Sequence, residues 1–262
     1  LNRQELLQKF ASGFSLYLSE EKDPEIYRYN LNSRHKYLEI LSHFPENLQG
    51  LKILEIGMSR FPLLLHQCWP GIGLTVLDLN RVEEELGPLG IGSIVHNLER
   101  DEPGLPAGEF DLAIFSEVLE HLRASPRFVM GKIHRMLRPG GRMILTTPNF
   151  LAVGNRLKML LGRTPLEKIR TTDENPGHFR EYAMDELLEY TRDAGFTVEK
   201  AFYPGYWNIP GIHMELYRLD GVSPAKRYLF CLPFVLAKWL LYKAAPSTGA
   251  ALLIVARKEN GP

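Results

Sequence analysis

FDLAIFSEVLEHL, residues 110–122, changes character halfway along its length. Its first half is apolar on both faces, as a strand must be when a parallel sheet is covered by helices on each side. Its second half, SEVLEHL, gathers polar groups at helical spacing, and Glu117 and His121, four apart, share a face there. A buried strand that delivers charged side chains straight into a helical turn is how an α/β domain presents chemistry at a strand end.

Working outward, the same texture repeats. LKILEIG (51–57), LTVLDLN (74–80) and GSIVHNL (92–98) precede this stretch, and GRMILTTPN (141–149) follows it. Between strands, Arg127–Arg138 reads as a helix with Phe128, Ile133, Met136 and Leu137 as its apolar stripe. Pro139-Gly140-Gly141 stops it. Met184–Ala194 reads as a second helix, with Leu187, Leu188 and Thr191 inward and Gly195 as its C-terminal cap. FTVEKAF (196–202) and ALLIVARK (251–258) complete the strands. This alternation predicts an α/β, doubly wound sheet whose ligands sit at the C-terminal strand ends. Residues 1–48 read as an N-terminal helical lid. Asn32 or Ser33 caps a helix with Leu38, Leu41 and Phe44 on one face, ending before Pro45. The domain proper is 49–262, with rim insertions at 149–182 and 203–248.

The bulk numbers narrow the function classes. Lys plus Arg and Asp plus Glu both total 31, so the formal charge is zero, which argues against a general nucleic-acid binder. Cys68 and Cys231 form no CxxC pair, and two thiols so far apart suggest neither a disulfide framework nor a zinc site. The opening LNRQELLQKF has no apolar core of signal-peptide length, so a reducing cytoplasm is the expected setting. The most apolar stretch, Tyr228–Tyr242, is interrupted by Pro233 and Lys238 and falls short of the roughly 20 residues of a spanning helix. It reads as a packed cap element, with weak membrane-surface contact as the alternative.

Five segments in order, LEIG, LDLN, FDLAIFSEVLEHL, LRPGGRMILTTPN and the pair HFREY/AGF, resemble the class I S-adenosylmethionine (SAM)-dependent methyltransferases. The likeness runs over roughly residues 50–202 plus the last strand. It is strongest to the small-molecule branch that includes the ubiquinone-biosynthesis type O-methyltransferases, with glycan and natural-product enzymes beside them. It implies a Rossmann-like sheet of order 3-2-1-4-5-7-6 with the seventh strand antiparallel. SAM is then the cofactor and S-adenosylhomocysteine the product.

Position by position, the resemblance assigns Glu55, Gly57 and Ser59 to the first SAM-binding loop. Asp78 falls to the ribose hydroxyls, which a carboxylate can accept in pairs. Asn97 falls to the adenine amino group and Leu98 to the ring face, while Ser116 and Glu117 lie beside the methyl donor. The family's usual E/D-x-G-x-G-x-G is only partly kept. Ser59 stands in for the second glycine, and Phe61 replaces the third. Arg34, with Tyr27 and Tyr29, is a lid candidate that pairs with the SAM carboxylate. Asn149, Arg180 and Tyr182 fall on the acceptor side. His178 is the first candidate for a general base and His121 the second, because imidazole titrates near neutrality. Each also has a plainer reading, His121 as a packed residue that holds its turn and His178 as part of a capping loop. No metal site is expected, since the Glu117–His121 pair finds no further ligand at convincing spacing.

The expected acceptor is a small molecule, with a glycan or natural-product hydroxyl favoured. The 203–248 insertion offers either a homodimer interface or an apolar acceptor pocket. Two other classes stay open. One is a non-catalytic binding or scaffold protein on the same fold. The other is a nicotinamide-dependent oxidoreductase, which the missing G-x-G-x-x-G after the first strand disfavours.

Overall fold

The computed structural model describes residues 2–259 except 21, 102, 167, 170–176, 206–232, 234, 235 and 238. Seven strands among the described residues form one sheet: β1 (Lys52–Ile56), β2 (Gly73–Asp78), β3 (Gly92–Val95), β4 (Phe110–Ser116), β5 (Leu137–Pro148), β6 (Phe196–Phe202) and β7 (Ala251–Lys258). Their order is β3-β2-β1-β4-β5-β7-β6. Pairing is parallel through β5 and antiparallel on both sides of β7. Order and directions are those implied by the resemblance.

Burial on both faces explains the apolar texture of the strands. Side chains alternate across a strand. Ile53, Leu112, Ile144 and Leu253 enter one cluster, and their neighbours Leu54, Ala113, Leu145 and Ile254 enter the other. The second cluster is closed by α5 (Pro126–Met136) and α7 (Met184–Asp193), through Val129, Met130, Ile133, Met136 and Leu187. The first is closed by α3 (Phe61–Cys68) together with α1 (Arg3–Glu20) and α2 (Pro24–Leu41), and Leu86 of the short α4 (Glu83–Leu86) joins it. Leu6, Phe10, Phe14 and Leu18 recur every fourth residue along α1, and all are buried. The Phe61 ring stacks on Tyr37 at 4.8 Å and meets Phe10 and Phe44 edge-on. The N-terminal helices therefore belong to the core of that sheet face.

Four local expectations are corrected. The helix begins well before Asn32 and Ser33, at Pro24, where a residue without an amide donor costs nothing. Phe44 lies beyond that helix, in the turn that follows, and is buried from there. Phe128 is not part of the inward stripe of α5. It is 37% exposed, with the Lys132 ammonium over its ring. Pro139-Gly140-Gly141 is a bulge inside β5 rather than a break before it. Phe110 pairs with Leu137, but Leu112 pairs with Arg142, so the extra residues loop out, with Gly140 at φ +79°.

The 149–182 insertion contributes α6 (Val153–Leu160), which buries none of its residues. The apolar stretch Tyr228–Tyr242 lies largely outside the described residues. Of its end, residues 239–244 are helical, Leu240 is exposed and Tyr242 donates its hydroxyl to the Tyr203 carbonyl. No described helix is long and apolar enough to cross a membrane.

Candidate active site

The loop leaving β1 is shaped by one residue. Gly57 has φ +80°, and a Cβ there would stand 2.7 Å from Val118 Cγ2, so only glycine lets this loop pass the turn after β4. Its N–H donates to the Leu77 carbonyl, which ties the ends of β1 and β2 together. Asp78 finishes that tie. The Met58 N–H donates to one carboxylate oxygen at 2.7 Å and the Asn80 N–H to the other at 2.8 Å. Each oxygen keeps a lone pair for a further donor.

Glu55, one turn of the pleat back from Gly57, is 4% exposed. Burial pushes its carboxyl up to about 8, against the opposing pulls of the Ser59 hydroxyl and the Lys36 ammonium. Ser59 Oγ donates to Glu55 Oε1 and accepts the Phe61 N–H at 3.0 Å, linking the strand end to the first turn of α3. Glu55 Oε2 is buried with no hydrogen-bond partner among the described residues.

Asn97 Oδ1 accepts the Glu99 N–H at 2.9 Å, which folds the turn after β3, and Leu98 is buried against Leu54, Ile56 and Leu77. Ser116 and Glu117 are joined through Thr146. The two hydroxyls of Ser116 and Thr146 lie 2.8 Å apart, and Thr146 donates to Glu117 Oε1 at 2.8 Å. Glu117 sits at φ +55°, the sole non-glycine in that region among the described residues. Such a backbone costs roughly 1–2 kcal/mol. Here it swings the chain out of β4 and into the Leu119–His121 turn.

That turn carries a second group of side chains. Glu120 is 1% exposed; Thr147 donates to its Oε2 at 2.9 Å, and Oε1 has no hydrogen-bond partner among the described residues. Burial, then the neighbouring Glu117 charge, push its carboxyl up to about 8. The Glu120 carbonyl accepts the N–H groups of Phe179 and Arg180, which binds the 177–182 segment to the turn. His121 Nδ1 lies 2.9 Å from the Gly177 carbonyl, and the His121 and His178 rings meet edge to face at 4.9 Å. His178 Nδ1 is 3.2 Å from Glu181 Oε1, and Asn155 donates to the other Glu181 oxygen. Glu120, His121 and His178 each place one atom able to bind a cation within 4.8 Å of the others.

The structure thus brings together Glu55, Gly57, Ser59 and Asp78, and separately Ser116, Glu117, His121 and His178. Other candidates lie apart. Arg34 is half-buried on α2, its Nε without a hydrogen-bond partner among the described residues, and no hydrogen bond or ion pair joins it to the strand ends. Asn149 is buried, with its amide donating to the Ser247 and Gly249 carbonyls. Arg180 is turned outward to Glu186, and Tyr182 is 2% exposed in the core. Burial pushes the Tyr182 hydroxyl up to about 12. Sequence reasoning missed Glu120, Thr146, Thr147 and Glu181. The signal available was Glu120 itself, an acid beside His121 in the turn, and Glu181, three residues after His178.

Comparison with known proteins bears on the fold and the family. A methyltransferase-domain family matches residues 27–201. A protein of Mycolicibacterium smegmatis named as a SAM-dependent methyltransferase is 38% identical over 96 residues, 36% of this chain and 32% of its own. The match therefore spans about a third of that relative's length. Among solved structures, a Haemonchus contortus phosphoethanolamine N-methyltransferase, in complex with phosphomonomethylethanolamine and S-adenosylhomocysteine, superposes with a TM-score of 0.58 at 15% identity, over 92% of this chain and 58% of that one. The [4+2]-cyclase SpnF superposes with 0.56 at 17%, over 87% and 82%. At those identities the solved structures speak for the fold alone. With the family match extending over more than half of its length, on a sheet of this order, the chain belongs to the methyltransferase-domain family.

Proposed function

We propose that this protein transfers the methyl group of SAM to a hydroxyl of a small molecule, of the glycan or natural-product kind, at the corner between the strand ends and the 177–182 segment. One observation carries the reading. Asp78, fixed at both oxygens, ends β2, the turn carrying His121 follows β4, and Gly57, at the end of the strand between them, passes so close to Val118 of that turn that a Cβ would not fit.

The residues fit the cofactor. Asp78 is held by backbone amides with lone pairs to spare for a vicinal diol, and the unpartnered Oε2 of Glu55 is a buried polar atom suited to a donor. Gly57, Ser59, Asn97, Leu98, Ser116 and Glu117 would complete the cradle, and Arg34 would serve the carboxylate of the methionine part. Bound SAM supplies a methyl group already activated by its sulfonium.

The chain's own contribution is to hold the acceptor in line and to receive its proton. Positioning alone accounts for as much as ~7–11 kcal/mol in favourable cases. His178, oriented by Glu181, is placed to take the hydroxyl proton, with His121 beside it. This favours a hydroxyl over an amine acceptor, since a neutral amine needs no base before attack. The fold of SpnF, a cyclase, favours a second reading in which the same scaffold supports other chemistry.

The test is calorimetric titration with SAM, S-adenosylhomocysteine and NAD, followed by transfer of labelled methyl to a panel of hydroxylated acceptors. Both SAM species should bind and NAD should not. Asp78→Ala should weaken SAM binding on the order of tenfold to a hundredfold, the worth of hydrogen bonds to a charged acceptor. His178→Ala should lower turnover by ~10²–10⁴ while leaving SAM affinity near its original value. Binding of neither SAM species would sink the proposal.

A further inference from the structure

We infer that Glu120, His121 and His178 form a binding site for a divalent cation. The inference relies on the proposed function only for the position of the acceptor; the cation site itself stands on the side chains.

The donor set comes first. One carboxylate and two imidazoles are hard-to-intermediate ligands that suit Mn²⁺, Zn²⁺ and their neighbours. Their candidate atoms lie within 4.8 Å of one another. Ligands at ~2.0–2.2 Å from one ion stand ~3–4.4 Å apart, so a modest closure of the triad would bring all three onto one ion.

The ring orientations come second. The Gly177 carbonyl can only accept, so His121 Nδ1 carries the proton and the lone pair lies on Nε2. The Glu181 carboxylate does the same for His178. An imidazole anchored at one nitrogen by a carbonyl or carboxylate, with the other nitrogen as ligand, is how metal-binding histidines are held in the second layer. Asn155 in turn fixes Glu181.

The third observation is the burial of an unpartnered ligand oxygen. Glu120 Oε1 is buried, and no described residue gives it a hydrogen bond, while Oε2 is held by Thr147. A carboxylate oxygen taken out of water without a donor is costly unless a cation meets it. Three protein ligands leave coordination positions for water or for an acceptor oxygen, and a cation there would take over from His178 the polarising of the hydroxyl.

The experiment uses the full chain, stripped with a chelator and titrated with Mn²⁺ in the absence of SAM and acceptor, the free ion being followed by electron paramagnetic resonance. One Mn²⁺ per chain is expected. Glu120→Gln and His178→Ala should abolish the binding, and Glu181→Gln should weaken it roughly 10–100-fold. Glu109→Gln, at the opposite end of β4, should leave it unchanged. Circular dichroism confirms that each variant is folded, and Glu181→Gln keeps the test open should Glu120→Gln fail to fold. Absence of binding, or an ion indifferent to all three substitutions and hence adventitious, overturns the inference. Methyl transfer that survives chelation with no Mn²⁺ bound also overturns it and leaves the proposed function intact; transfer lost on chelation and restored by Mn²⁺ supports both.

Discussion

Glu55 carries a folding consequence that can be read by pH alone. Its carboxyl rises from the ordinary range near 4.5 to about 8 in the folded chain, because burial outweighs Ser59 and Lys36. Below about 4.5 the group is protonated in both states and makes no difference. Between about 4.5 and 8 the unfolded chain releases this proton and the folded chain keeps it, so stability falls as pH rises through that window, and levels above it. Glu55→Gln, which holds the neutral form permanently, should remove about one proton's worth of that slope. Chemical denaturation at several pH values from 4 to 9 checks it, and a variant as steep as the parent would refute the assignment. Of the residues around the site, Gly57 and Asp78 were legible because backbone shape and strand-end acids leave marks at fixed places in a motif. Glu120 was not, because burial of an acid depends on what packs over it, here the segment 177–182, nearly sixty residues away in sequence.

At the level of elements, the departure of the first loop from the family pattern has a physical cause. Phe61 opens α3 and points into the N-terminal aromatic layer, against Tyr37, Phe10 and Phe44, and is 1% exposed. A glycine there would leave a void in that layer, so the loop gives up a flexible residue and uses Ser59 to bridge Glu55 and the α3 amide instead. Phe61→Gly, which restores the family pattern, should destabilise the protein by about 3–5 kcal/mol, as large aromatic truncations do, and should not improve SAM affinity. Unfolding curves and a SAM titration of that variant check both halves. All seven strands were legible in the sequence, β6 and β7 to the residue, but β3 ends three residues before its run does and β5 begins at Leu137, inside the stretch read as helix. The start of α2 and the bulge at 139–141 were not, as helix onset and strand register are set by neighbours rather than by local pattern.

Across the whole molecule, the helices of residues 1–48 and the sheet share one apolar cluster. Deleting them would bare Phe61, Leu64, Leu65 and Trp69 along with one face of the sheet. The expected outcome is loss of cooperative folding, not an open, active domain. Expression of residues 49–262 with a thermal melt checks this, and a sharp transition near the parent's would show that those helices are dispensable.

The place of β7 between β5 and β6 has a consequence for how the chain is made. Among the described residues β6 pairs with β7 and with no other strand, and β5 exposes that edge until β7 arrives. β6 must wait while residues 203–250 are synthesised, roughly 2–10 s at ribosomal rates of ~5–20 residues per second, and β5, which ends at Pro148, about twice as long. During that interval two unsatisfied backbone edges face solvent, and a neighbouring nascent chain can pair with either. β7, emerging after both of its neighbours, is thus the strand that ends the exposure of these two edges.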